Sequence, residues 1–459
     1  MTGRINRIGR RRFLTAAGAT LSAAPFHALN CRAYNFERLE SNWATAKHTL
    51  TGYGPLRPAL DEMTGLPLLH LPEGFRYLSF GWTGDLLNDG SRTPGWHDGM
   101  AAFPTSGVLV RLIRNHELRR GTAFANHTIY DINGGGGTTT IDFDPTRGTV
   151  TGAWTSLAGT AVNCAGGPTP WGSWLSCEET VAGPGGDNDY QRPHGYIFEV
   201  PIDGTARATP LRAMGRFVHE AIAVDPTTGF VYETEDQQTA GFYRFIPTQA
   251  SDLVAGGQLE MLALARTPHA DTRIGQTANL WMPVRWVPIN DPNPDNIAPD
   301  SVFRQGVQKG GATFARLEGT WYGDGRIYIV STNGGAAEAG QIWEYDPTGD
   351  RLRMIFESPS IDVLDMPDNI CVSPRGGLVL CEDGNGDNYV RGLTTDGAIF
   401  PFAKNNIVLS GEKNGFEGNY RGSEFAGATF SPDGRWLFFN VQLPGITFAV
   451  TGPWADGPL

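Results

Sequence analysis

The sequence predicts an all-β fold, a six-bladed β-propeller with an inserted cap segment and an irregular N-terminal arm. Three observations carry that expectation. Sixty Gly and 31 Pro among 459 residues, with only 18% charged residues, describe many short strands joined by tight turns. Short apolar runs recur along the chain: SGVLVRLIRNHE, WGSWLSCEE, GFVYETED, RIYIVSTNGG, LVLCEDG and RWLFFNVQ. Several follow Asp-Pro-Thr-Thr-Gly, Gly-Asp-Gly, Pro-Arg-Gly-Gly or Pro-Asp-Gly, sequences that reverse the chain. Finally, units of roughly 50 to 60 residues repeat, with further strands such as QIWEYDPTGD and GTVTGAW between them, as in radially repeated four-stranded sheets. The count is six; five or seven fit the same spacing.

Taken from the N-terminus, residues 1–28 read as a twin-arginine export signal. Arg10, Arg11 and Arg12 precede Phe13 and Leu14, and the stretch TAAGATLSAAPF that follows is too short and weakly apolar to span a bilayer. Cleavage falls after Ala24 or Ala28. The sequence therefore predicts handling by the twin-arginine machinery, a periplasmic or secreted location and no stable membrane insertion. Residues 29–69 form the irregular arm, and 70–459 the propeller. Within the propeller, about 253–300 breaks the rhythm with QTANLWMPVRWVPIN and a run of Asp, Asn and Pro, and reads as an insertion or cap.

Twelve Trp and 24 Phe supply ample core volume. A formal net charge of −12 gives no long-range attraction to nucleic acid or anionic lipid, so no nucleic-acid partner is expected. A monomer is expected. Five cysteines without regular spacing do not make a disulfide framework. Cys177 and Cys381 occupy matching strand positions and read as core thiols. Cys164 sits where other repeats carry Glu or Asp.

That last position belongs to a recurrence. Cys164 and Glu179, Glu220 and Glu235, Glu318 and Asn333, Asp368 and Asp383 are each fifteen residues apart, and each second member ends an apolar run. Such recurrence predicts one ring of oxygen and sulfur donors around a common axis, with Glu117 in a second tier. Converging carboxylates repel one another unless cations lie between them. Oxygen donors suit calcium or magnesium, and a thiolate among them calls for a transition metal such as iron. Histidine is nearly absent from the set, apart from His116 and His219 beside the acids, which argues against a zinc hydrolase site. A single acid after a strand is usually a solvated turn residue, as at Asp346 and Asp433; only recurrence lifts the others above that. Arg316, two before Glu318, predicts a bound anion, phosphate by its planar fork, with a plain ion pair to Glu318 as the alternative. Asn115 stands likewise two before Glu117.

Several stretches resemble the PhoX-type alkaline phosphatases: RNHE (114–117), NCAGGPTPWGSWLSCEE (163–179), GRFVHEA (215–221), ARLEG (315–319), MPDNICVSPRGGLVLCEDG (366–384) and FAGATFSPDGRWLFFNVQLPG (425–445). The resemblance implies a six-bladed propeller holding two ferric ions and several calcium ions at one end of its channel. It implies Cys164 and Glu179 as iron ligands, Glu220 and Glu318 as bridging ligands and Asp368 as a calcium ligand. Arg316 becomes the catalytic, phosphate-binding arginine, and Asn115 a substrate contact.

The reading is thus an exported, metal-dependent phosphoesterase acting on small phosphomonoesters. A calcium-dependent propeller lactonase or esterase, a phosphodiesterase and a non-catalytic metal-stabilised binding propeller are the alternatives.

Overall fold

The computed structural model describes residues 52–125, 128–295 and 297–459. The twin-arginine motif, Cys31 and most of the expected arm lie outside these residues. The fold is all-β and propeller-like. One short α-helix, Ser301–Gln308, stands among the described residues.

Each apolar run noted above is a strand, and each is the second strand of its sheet. Val110–His116 follows His97–Pro104; Ser173–Glu178 follows Asn163–Pro168; Val231–Glu235 follows His219–Val224. Arg326–Ser331 follows Leu317–Gly323; Leu378–Glu382 follows Pro367–Val372; Leu437–Val441 follows Phe425–Phe430. These second strands are apolar on both faces because sheets pack on either side. The leading strands are poorer in large side chains. They stand next to one another in chain order, and the last, Phe425–Phe430, lies against the first, His97–Pro104.

Closure uses both ends of the described chain. Arg76–Phe80 adds the outer strand to the sheet of Phe425–Phe430, Leu437–Val441 and Ile446–Thr451. Phe402, Phe430 and Phe448, all buried, pack in one apolar cluster with Trp454. Burying each such ring stabilises the fold by roughly 1.5–3 kcal/mol.

Two expectations change. The chain before residue 70 is not wholly irregular. Arg57–Ala59 and Leu69–Leu71 pair with each other and extend the edge beyond Ile399–Asn405, because Leu69 and Leu71 find a buried face there. The segment 253–300 is also not a cap over the donor ring. It supplies Gly257–Leu264 and Met282–Pro288, and the latter joins Arg351–Glu357, so two expected blades merge into one nine-stranded sheet. Unpaired edge strands offer hydrogen bonds, and Met282–Pro288 takes one edge on each side. The end strands of that sheet, His219–Val224 and Leu317–Gly323, again lie side by side.

Candidate functional site

Five of the six leading strands begin alike. In these five the first residue pairs normally: His97 with His116, Asn163 with Glu178, His219 with Glu235, Leu317 with Ser331, Pro367 with Glu382. The register then slips by one, a β-bulge, and the first bulged residue is Asp98, Cys164, Glu220, Glu318 or Asp368. A bulge turns a side chain out of the sheet alternation, here toward the strands' shared end. The residue before the strand is left-handed at Trp96 (φ 53°), Val162 (φ 53°), Arg316 (φ 39°) and Met366 (φ 48°). Such conformations cost free energy in non-glycine residues and persist where surrounding structure enforces them.

The residue after each of these five second strands is fixed in the same way. The backbone N–H groups of Glu117, Glu179, Asp236, Thr332 and Asp383 donate to the carbonyls of Trp96, Val162, Val218, Arg316 and Met366. The fifteen-residue rule therefore holds in two repeats and slips in two. In the third, Asp236 reaches the pocket, while Glu235 turns into the core and accepts from Gly241 N and Tyr243 Oη, both 2.8 Å away. In the fourth, the matching residue is Thr332, whose hydroxyl donates to Pro367 O, and Asn333 lies outside the pocket. Alternation along a strand sends neighbours to opposite sides, so one residue of hairpin length decides which acid is a donor.

The sixth leading strand departs from the pattern. Its bulge carries Gly427 at φ 62°, where a Cβ would stand 2.5 Å from Asp98 O. No side chain fits. Glu424 supplies the acid from three residues earlier, and Gln442 Nε2 donates to both Glu424 Oε1 and Glu117 Oε2 at 2.7 Å.

The five bulged donors line one pocket of about 220 Å³, together with Glu117, Glu179, Asp236, Asp383, Glu424 and Gln442. It gathers nine carboxylates (those of Asp98, Glu117, Glu179, Glu220, Asp236, Glu318, Asp368, Asp383 and Glu424) with the Cys164 thiol, against one cationic lining residue, Arg316. Cys164, Glu179, Glu220, Glu318 and Asp368, expected from the sequence, are thus brought together. Asp98, Asp236 and Glu424 were not singled out by sequence. Asp98 has the same position as Glu220 within an H-D pair matching H-E, which was the available signal.

Protein alone makes this an uncomfortable place for anions. Burial, then neighbouring acids, pushes Asp98, Glu220 and Glu424 far above the usual carboxylate range, and burial and Asp236 do the same to Glu179. Glu117 and Asp368 are pushed up to about 7, chiefly by burial. Burial with Glu220 and Glu179 holds the Cys164 thiol protonated, its Sγ 3.4 Å from His219 O.

Arg316 spans two acids. Nε and Nη2 donate to Asp236 Oδ1 and Oδ2, both at 2.9 Å, and Nη2 also ion-pairs with Glu318. Asn115 does not line the pocket. Its Nδ2 donates to Cys164 O at 3.0 Å and Ala165 O at 2.7 Å, and its Oδ1 accepts from Trp174 Nε1 and Ser176 Oγ at 2.9 Å. The expected substrate contact is corrected to a structural one: every hydrogen-bonding group of the amide is engaged beneath Cys164. His116 and His219 are buried with backbone partners and also lie outside the lining.

The donor set fits multivalent cations. Asp98, Asp368 and Glu424 each present an oxygen within 4.8 Å of the others, and Asp98 Oδ1 is buried without a hydrogen-bond partner. Clustered oxygens of this kind bind hard cations, and Cys164 adds a softer donor.

The family profile described as "Alkaline phosphatase PhoX" matches residues 51–142 and 138–445. No curated protein matches the sequence. Among solved structures, Pseudomonas fluorescens PhoX in complex with vanadate, a transition state analogue, superposes with a TM-score of 0.64 at 15% identity, over 89% of this chain and 98% of that one. The gluconolactonase XC5397 from Xanthomonas campestris gives 0.45 at 14% identity, over 87% and 98%. The profile match spans nearly the whole described chain and all the pocket-lining residues, and on that ground the chain belongs to the PhoX family of alkaline phosphatases.

Proposed function

We propose that this chain hydrolyses phosphomonoesters at the carboxylate-lined pocket, with iron and calcium as its cofactors. The observation that carries the reading is nine carboxylates and a thiol converging on about 220 Å³ beside a single guanidinium. Cys164 and Glu179 are the iron ligands in this reading, Glu220 and Glu318 the ligands shared between ions, and Asp98, Asp368 and Glu424 a calcium site. Bound cations would supply Lewis acidity and charge neutralisation toward the phosphoryl oxygens.

The chain's own contributions follow from geometry. Arg316 spends Nε and Nη2 on Asp236 and Glu318, and those two carboxylates hold it so that Nη1 would meet a phosphoryl group beside the cations. There it would bind and orient the phosphoryl oxygens and oppose charge growing on them in the transition state. Asn115 acts one layer down, fixing the backbone that carries Cys164. Trp96, 41% exposed, also lines the pocket.

The six leading strands adjoin in a ring, which supports six blades, with Met282–Pro288 as a strap between the third and fourth. Twin-arginine export to the periplasm or beyond, as a folded monomer, rests on the motif at residues 10–14. Among the described residues no helix is long and apolar enough to cross a membrane.

The test is turnover by the purified, metal-loaded protein on matched panels of phosphomonoesters, phosphodiesters and lactones. Monoester turnover lost in Cys164→Ser supports the reading. Lactone turnover that survives Cys164→Ser, with no monoester turnover in the parent, overturns it.

A further inference from the structure

A second cleft, of about 620 Å³, opens beside the edge strand Ile197–Pro201 and shares no lining residue with the acidic pocket. Its chemistry is the reverse. Arg192 and Arg212 line it, and no carboxylate does. This is unexpected in a chain with 48 acidic against 36 basic residues. Some exposed arginines pair with acids, Arg76 with Glu62, Arg273 with Asp271, Arg304 with Asp300, while others such as Arg57 and Arg266 pair with none among the described residues. Among the described residues neither Arg192 nor Arg212 has an acid within ion-pair distance.

Both guanidiniums are nevertheless held in place. Arg192 lies over the Tyr130 ring at 5.3 Å and Arg212 over the Tyr196 ring at 5.0 Å. Arg212 Nη1 donates to Tyr196 Oη at 3.0 Å, and that hydroxyl donates to Asn293 Oδ1 at 2.8 Å. Stacking on aromatic faces fixes an arginine while leaving most of its five N–H groups free. The backbone of Arg192 is anchored too, its N–H donating to buried Asp131 Oδ2 at 2.7 Å. Leu211, Leu253 and Val254, the last 65% exposed, line the same cleft. A cleft with few convergent polar groups and an apolar wall is the usual form of a small-molecule site.

We propose that this cleft binds a small organic anion, its phosphonate, phosphate or carboxylate group forked by Arg192 and Arg212 and its apolar body against Leu211, Leu253 and Val254. The site is independent of the phosphatase reading. Two pre-oriented guanidiniums match a tetrahedral or planar oxyanion, and the missing counter-charge is what the ligand brings.

The test is calorimetry on the full, metal-loaded protein with 1-naphthylphosphonate, whose C–P bond is not an ester, in the parent and in Arg316→Ala, which impairs the acidic pocket and leaves the cleft. One site is expected to remain. Arg192→Ala with Arg212→Ala weakens it by about tenfold or more while phosphomonoester turnover stays unchanged. Val254→Trp, which fills the cleft and leaves both arginines, abolishes it. Neutral 1-naphthylmethanol binds about tenfold or more weaker than the phosphonate. Binding that survives both variants, or that the neutral alcohol reproduces at equal strength, overturns the proposal, as does the absence of any site in Arg316→Ala.

Discussion

Arg316 meets Asp236 in a two-point ion pair, Nε to Oδ1 and Nη2 to Oδ2 at 2.9 Å each, in the lining of the acidic pocket. The two residues belong to different repeats, and the pair fixes a guanidinium among carboxylates that cations would share. Arg316→Ala is expected to keep its bound metal and lose about 10²–10³-fold in kcat/KM on a phosphomonoester. Arg316→Lys does not restore the loss, because an ammonium lacks the fork. Steady-state kinetics with elemental analysis of both variants checks this, and wild-type kinetics in Arg316→Ala would remove the residue from the site.

Asp236 and Glu235 are neighbours with opposite fates, which makes them a paired test. Asp236→Asn lowers metal content and turnover together, since it removes a pocket carboxylate and one side of the arginine pair. Glu235→Leu leaves metal content intact and lowers the melting temperature, because it removes the oxygen that accepts from Gly241 N and Tyr243 Oη. Losing buried hydrogen bonds of that kind costs about 1–3 kcal/mol.

Gly427→Ala tests the sixth strand. A methyl group there meets Asp98 O at 2.5 Å in a left-handed backbone. The variant is expected to lose about 1–3 kcal/mol and part of its metal, read by denaturant melts and elemental analysis. Gly376→Ala, also left-handed but with open space around its Cβ, isolates the backbone contribution and keeps its metal.

The metal-free protein should respond to pH in a direction unusual for a carboxylate-rich protein. Glu117 and Asp368 titrate at about 7 in the empty-handed fold, against 4.5 and 3.8 in an unfolded chain. The folded state then holds more protons, so its stability is full below pH about 4 and falls as pH rises through 7, by on the order of a few kcal/mol. Chelator-treated protein is predicted to melt lower at pH 8 than at pH 5.5, and added calcium to reverse the order at pH 8. Pocket acids with ordinary pKa values would give a flat or opposite trend.

Much of the fold was legible because strand and turn chemistry is local. SGVLVRLIRNHE, WGSWLSCEE and LVLCEDG advertise strands through apolar content and turn residues, and all are strands. The leading strands were harder to see: NCAGGP and HDGMAAFP are small and polar because they crowd the axis and carry donors. The merging of two sheets through Met282–Pro288 depends on tertiary edges that no local pattern encodes. At the site, Cys164, Glu220, Glu318 and Asp368 were found because each opens a repeat. Asp236 was missed because a fixed spacing cannot follow a hairpin one residue longer. Glu424 was missed because it substitutes for a position where Gly427 leaves no room. Asn115 stands two before Glu117, but its strand ends at His116 between them, so the alternation that would aim Asn115 at the pocket does not carry across.

The central claim is that the clustered acids and Cys164 exist to hold cations that make the pocket catalytic. Elemental analysis of the as-purified protein, before and after chelation, with phosphomonoester turnover followed on the same samples, tests it most directly. Iron and calcium are expected together, removed by chelator in step with turnover and restored with it. Full turnover in protein stripped of both metals would contradict the account.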